Sequence, residues 1–122
     1  MDQHLHSVVV NVGAQAGTIN KPIFHVPTSD SPFGGITLTG AWIISGAAAT
    51  TIFQLSNMGT ALGTAIVSNV GTLNGTLVAN VQKALTVTTA YQSSNTWIAL
   101  STVSGDTLNA DSKVILEYKW GK

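Results

Sequence analysis

The chain has 122 residues, of which only 8% are charged; five lysines balance five carboxylates, and there is no arginine and no cysteine. Without clustered cations the chain cannot neutralise a phosphate backbone, so nucleic-acid binding is excluded. The lack of cysteine removes disulfides, thiolate metal sites and thiol nucleophiles together.

A domain of this size buries roughly two-thirds of its unfolded surface, enough for one self-sufficient core. Average soluble domains are about 25% charged. A surface this poor in charge, at zero net charge, loses the electrostatic repulsion that keeps molecules apart, which suits a protein packed against neighbours. The alternative is a sandwich solvated by its Thr, Ser and Asn. No apolar run approaches the roughly 18 residues of a membrane span, and Met1-Asp2-Gln3-His4 is not followed by the pattern of a secretory leader, so synthesis in a cytoplasm is expected.

Residues 1–12 read as a polar N-terminal arm ending in a short strand, Ser7 to Val12, and residues 13–122 as one β-sandwich domain. Gly13 to Gly17 is a break. Thr18 to Val26 is extended, and Pro22 and Pro27 confine it to an edge or to irregular structure because each lacks a backbone donor. Thr28 to Gly35 is a loop by its Ser, Asp, Pro and Gly content.

Ile36 to Ser68 reads as the organising stretch, a meander of three strands. In ITLTGAWII the apolar Ile36, Leu38, Trp42 and Ile44 alternate, which places them on one strand face. Phe53 and Leu55, then Leu62 and Ile66, continue the pattern. Asn69 to Gly75 is turn-rich, with an Asn-Gly pair suited to a tight hairpin. In TLVANVQKAL, Leu77, Val81 and Leu85 have four-residue spacing, so a short helix over 76–85 competes with a strand reading. Thr96 to Val103 is a strand. Lys113 to Trp120 alternates, with Val114, Leu116, Tyr118 and Trp120 on one face. Trp42, Phe53, Trp97 and Trp120 are the heaviest candidates for core anchors. About seven or eight strands at intervals of roughly 8–12 residues predict an all-β, antiparallel sandwich or jelly roll.

Little chemistry is suggested. His4 and His6 form a His-x-His pair that on a strand would point two imidazoles the same way, toward one metal ion; the competing reading is a solvated arm. His25 reads as a structural histidine. Asp30 and Asp106 lie in turns where aspartates bond local amides, and nothing brings two carboxylates across a cleft as glycosidase chemistry requires. There is no nucleophile elbow and no phosphate loop. No enzymatic activity, cofactor or small-molecule substrate is expected. Tyr91, Tyr118 and Trp120 leave room for sugar stacking, the function of a carbohydrate-binding module.

The segments ITLTGAWIISG, TTIFQLSNMGTALGTA, TWIALSTVSGDTL and VILEYKW, spanning Gly34 to Trp120, resemble small β-sandwich proteins of tailed-bacteriophage particles, in particular capsid decoration or cement proteins. The resemblance implies a homotrimer on the outer surface of an icosahedral virion shell, bound to the major capsid protein. It also implies contact through an N-terminal arm, here Asp2, Gln3, His4, Leu5, His6, Ser7 and Val8. A fibre or tail domain that binds a receptor or carbohydrate fits the same segments.

Overall fold

The structure is a computed structural model and describes residues 4–17, 19–28, 34–49, 52–62, 68–73, 76–102 and 106–122. Among these the chain is all-β. Its first strands are β1 (His6–Asn11), β2 (Gln15–Gly17) and β3 (Asn20–His25). The middle of the chain supplies β4 (Ile36–Ile44), β5 (Phe53–Asn57), β6 (Ser68–Leu73) and β7 (Lys83–Val87). Then follow β8 (Tyr91–Gln92), β9 (Trp97–Thr102), β10 (Asp106–Leu108) and β11 (Lys113–Trp120).

Nine strands form one antiparallel sheet in the order β1-β11-β4-β7-β6-β5-β9-β3, with β8 attached to β4, and β10 pairs with β2 in a small second sheet. The large sheet curls nearly closed into a sandwich-like barrel. Its corner is β7: Lys83 and Ala84 pair with β4, whereas Leu85, Thr86 and Val87 pair with β6. A strand that changes sheets in this way joins two packed layers into one continuous wall. Pro22 lies in β3, at the edge where a missing donor costs no ladder bond.

The two free edges meet through side chains. Phe24 of β3 lies 5.6 Å from Tyr118 of β11, and Tyr118 packs in turn on Trp120 and on His6 of β1. Between the layers sit Ile36, Leu38, Ala41 and Ile43 of β4, Phe53 and Leu55 of β5, Val70 and Leu73 of β6, Ile98 and Leu100 of β9, and Val114 and Leu116 of β11, all buried.

The alternation expected of β4 breaks in its middle. Leu38 faces Tyr118 and Gly40 faces Glu117, so Thr39 is an extra residue without a partner in β11. A bulge of this kind reverses which side chains point inward beyond it. Ile36 and Leu38 are therefore buried before the bulge and Ala41 and Ile43 after it, while Trp42 and Ile44 turn to the outer face, half-buried. Gly40 permits this arrangement, because a Cβ there would meet the far end of the Trp42 indole at 2.4 Å. Of the expected anchors, Phe53 is fully buried; Trp42, Trp97 and Trp120 are only half-buried.

The meander is also replaced. No ladder joins β4 to β5; β4 pairs with β11, β7 and β8, and β5 with β6 and β9. Leu62 is exposed, and Ile66 and the Asn74-Gly75 pair lie outside the described residues. The turn-rich reading of Asn69 to Leu73 gives way to β6. The helix alternative over 76–85 is overturned: Leu77 exchanges two backbone hydrogen bonds with Ala49, and Asn80 adopts φ +61°, a left-handed conformation that ends any helical run. Val81 consequently points outward while Leu77 and Leu85 are buried.

Replacing Phe53 by Ala should lower stability by about 3–5 kcal/mol, the cost of an unfilled core cavity. Trp42→Ala should cost less than half as much, and paired denaturant titrations of the two variants check the bulge-driven reversal.

Candidate functional site

Two places stand out once the core is accounted for. The first is a cleft of about 300 Å³ at the end of the sandwich where β4 begins, lined by Asn57, Gly59, Ser68, Thr89, Tyr91, Gln92, Ser93 and Thr96. None of these residues carries a charge. Asn57, the last residue of β5, is at its centre. Its Nδ2 donates to Gln92 Oε1 at 2.7 Å and to Thr96 Oγ1 at 3.1 Å, and its Oδ1 accepts from the Gly59 amide at 2.7 Å. Gln92 Nε2 donates to the Thr89 carbonyl at 2.7 Å, and Thr96 Oγ1 to the Ser93 carbonyl at 2.7 Å.

These bonds matter because Asn57, Gln92 and Thr96 are all buried. A buried amide left unpaired costs about 1–3 kcal/mol, so the network must be complete for the end of the sandwich to close. No buried side-chain polar atom among the described residues lacks a partner.

Tyr91 forms the aromatic wall. It pairs with Thr37, and its hydroxyl donates to the Gly34 carbonyl at 3.1 Å. Gly35 lies against it at φ +81°, where a Cβ would stand 2.5 Å from the Gln92 carbonyl oxygen, so only glycine fits. The chain end closes over this corner: the Gly121 amide donates to the Gly35 carbonyl, Thr37 Oγ1 to the Gly121 carbonyl, and Lys122 Nζ lies 5.2 Å from the centre of the Tyr91 ring.

The second place is the outer face of β1, β11, β4 and β7. Their register aligns Val9, Ile115, Trp42 and Ala84 in one row across four strands. Val9 is 56% exposed, Ala84 exposed, and Ile115 and Trp42 half-buried. The row is apolar throughout. Its flanks are Ser7, Glu117 and Gly40 on one side and Asn11, Lys113 and Ile44 on the other.

The expected metal pair is not assembled as a strand motif. β1 starts at His6, whose ring stacks on Tyr118 at 5.5 Å and meets Trp120 edge-on at 6.1 Å; His4 precedes the strand and is exposed. Among the described residues no three His, Cys, Asp or Glu side chains form a group able to hold a metal ion. His25 is held against Trp97, with ring centroids 4.5 Å apart, and its Nε2 is 3.2 Å from Asn95 Oδ1. No helix among the described residues is long and apolar enough to cross a membrane.

The residues expected to contact a partner divide as well. Asp2 and Gln3 lie outside the described residues. His6, Ser7 and Val8 belong to β1, and Val8, opposite Leu116, packs on the core instead of projecting from an arm. Leu5 and Ser7 are exposed.

Sequence reasoning missed the cleft because its members come from three separate stretches, 57–59, 68 and 89–96, with Asn57 and Gln92 read as loop residues and Thr96 as the start of a strand. Compared with known proteins, the chain matches no family model, no curated protein and no solved structure.

Asn57→Ala should lower stability by about 1–3 kcal/mol by leaving Gln92 and the Gly59 amide unpaired, as measured by denaturant unfolding. Burial raises the Tyr118 phenol above its ordinary 10.0. The unfolded chain therefore loses that proton first as pH climbs past about 10, so stability falls through the alkaline range. In Tyr118→Phe that part of the decline should disappear in melts recorded across the same pH series.

Proposed function

We propose that this protein is a virion structural protein that decorates the outer surface of an icosahedral shell, with the major capsid protein as its partner and a homotrimer as its working form. The observation that carries this reading is the uncharged outer row Val9, Ile115, Trp42 and Ala84. In a chain with only 8% charged residues, an apolar stripe across four strands is surface suited to burial against a partner. The resemblance of the Gly34 to Trp120 segments to phage decoration proteins points the same way.

The physics of cementing asks little of each contact. A protein that binds the assembled shell and not its free subunits stabilises the particle by mass action. Many modest contacts repeated on a lattice add through avidity. The row itself supplies an uncharged contact, and burying it carries no desolvation cost of charges; Glu117 and Lys113 stand at its flanks.

The row also moves the expected contact away from a free arm. Because His6–Asn11 is a sheet strand, removing residues 2–12 would uncover the β11 edge and test folding instead of docking. Substitution is the cleaner test. Val9→Lys combined with Ala84→Lys should leave the unfolding free energy from denaturant titration within about 1 kcal/mol of the parent, since exposed positions tolerate change. Binding to shells in co-sedimentation should weaken at least about tenfold. Undiminished binding by a folded variant would reject this face. Quantitative mass spectrometry of banded particles should find hundreds of copies per particle; a handful would favour a fibre or tail component, and none would overturn the virion reading.

A further inference from the structure

We infer that the cleft between Asn57 and Tyr91 is a binding site for a neutral sugar ring, a function separate from shell docking. Three properties of the site select this ligand class. The lining offers hydroxyls, amides and one phenol ring but no carboxylate or cation, so a charged ligand would enter without a counter-charge. Its size, about 300 Å³, is at the small end of ligand pockets, which matches one pyranose and not a long chain. Tyr91 supplies one aromatic surface beside convergent polar groups, the combination on which the apolar face of a sugar stacks while its hydroxyls are hydrogen-bonded.

The polar groups are fixed before any ligand arrives. Asn57 is clamped on three sides by Gln92, Thr96 and the Gly59 amide, and Gln92 is clamped again by Thr89. Preorganised groups of this kind lose little entropy on binding. At the rim, Ser68 and Ser93 are exposed and can exchange water for sugar hydroxyls, while Thr89 Oγ1 already donates to the Asn69 carbonyl at 3.3 Å and is left as an acceptor. Asn57 spends both its N–H groups inside the network, so a sugar's hydroxyls would be met by the rim serines, by the second Gln92 N–H and by the lone pairs that the network leaves over.

Among the described residues Lys122 brings a cation close to Tyr91. Its ammonium lies 5.2 Å from the centre of the Tyr91 ring, and Lys122 is not one of the residues that line the cleft. The side chain is exposed, and no ligand contact is assigned to it. The site is also distant from the apolar row: Thr37, beside Tyr91, and Trp42 are five residues apart on β4, about 16 Å along a strand. A molecule docked through the row can leave the cleft exposed.

The experiment is a titration of isotope-labelled protein, followed by amide NMR, with methyl glycosides of glucose, galactose, mannose and N-acetylglucosamine. Concentrations up to about 50 mM cover the weak, millimolar range expected of a single-ring site. At least one sugar should give saturable shifts centred on Gly59, Gln92, Ser93 and Thr96. Ser68→Trp, which fills the cleft from an exposed position, should weaken that binding at least tenfold while the rest of the spectrum stays in place; Thr89→Tyr is a second filling variant should the first disturb β6. Lys122→Ala should leave binding unchanged.

Absence of saturable shifts across the panel would overturn the inference, as would shifts that survive both filling variants. Loss of binding in Lys122→Ala, or shifts only with an acidic sugar such as galacturonate, would overturn the neutral class. Oligosaccharides ending in the preferred sugar, immobilised on a surface, separate the two sources of the same chemistry: capture shows a surface glycan, and binding of the free glycoside alone shows a soluble sugar. Neither result depends on shell binding, so this inference and the docking proposal fail separately.

Discussion

The pairing of β4 with β11 is the constraint on which the rest of the structure depends. Eight residue pairs join the two strands, interrupted once at Thr39. Because a strand's side chains alternate, one unmatched residue decides which set is buried on each side of it. The ladder therefore fixes the core, where Leu38, Ala41 and Ile43 pack with Val114 and Leu116. By the same geometry it fixes the outer surface, turning Trp42 and Ile115 away from the core into adjacent positions. The start of β4 also carries β8, and with it Tyr91 and Gln92, so the cleft hangs on this strand as well.

A chain with so few charges must solve its polar problems with neutral groups. It does so by hydrogen bonds between side chains that are fully or nearly buried. Ser45 and Ser112 join the ends of β4 and β11 at 2.8 Å, Ser56 and Ser101 link β5 to β9 at 2.9 Å, and Asn57, Gln92 and Thr96 close one end of the sandwich. Neutral bonds avoid the desolvation penalty of buried ion pairs and do not weaken with salt. Carboxylates are used sparingly and locally: Asp111 Oδ1 accepts from the Gly46 amide, and Glu117 Oε1 accepts from Thr39 Oγ1 beside the bulge. Stability of this kind is insensitive to ionic strength, and it leaves the surface without the repulsion that would oppose close packing against neighbours.

The two surfaces proposed to bind partners occupy different parts of one fold for a structural reason. The apolar row lies where four strands run side by side in register, from the edge strand β1 to the corner strand β7. The cleft lies where strands end and turns must satisfy their own backbone groups, which concentrates Asn, Gln, Ser and Thr. Asn95 at φ +59° and Gly59 at φ +77° shape that end. An apolar row suits a protein partner and concavity suits a small ligand, so the division of roles follows from the sheet's geometry.

Composition and local pattern determined the all-β class, the edge position of the Pro22 strand and the alternation of β11, because these depend on neighbours within a few residues. Phe53 was legible as a core residue for the same reason, flanked by a β-branched run and followed at two residues by Leu55. Trp120 packs, half-buried, against the core, and Trp97 lies half-buried against His25; Trp42 was misread because hydrophobic size alone does not say which way a side chain points. Only the tertiary pairing supplied that, through a bulge whose cause is the register of β4 against a strand some 70 residues away. The helix over 76–85 failed likewise, since the Ala49–Leu77 bridge and not local propensity held the segment extended. The cleft was invisible in the sequence because Asn57, Ser68, Gln92 and Thr96 meet only after β5, β6, β8 and β9 have been brought together, and no local rule encodes that meeting.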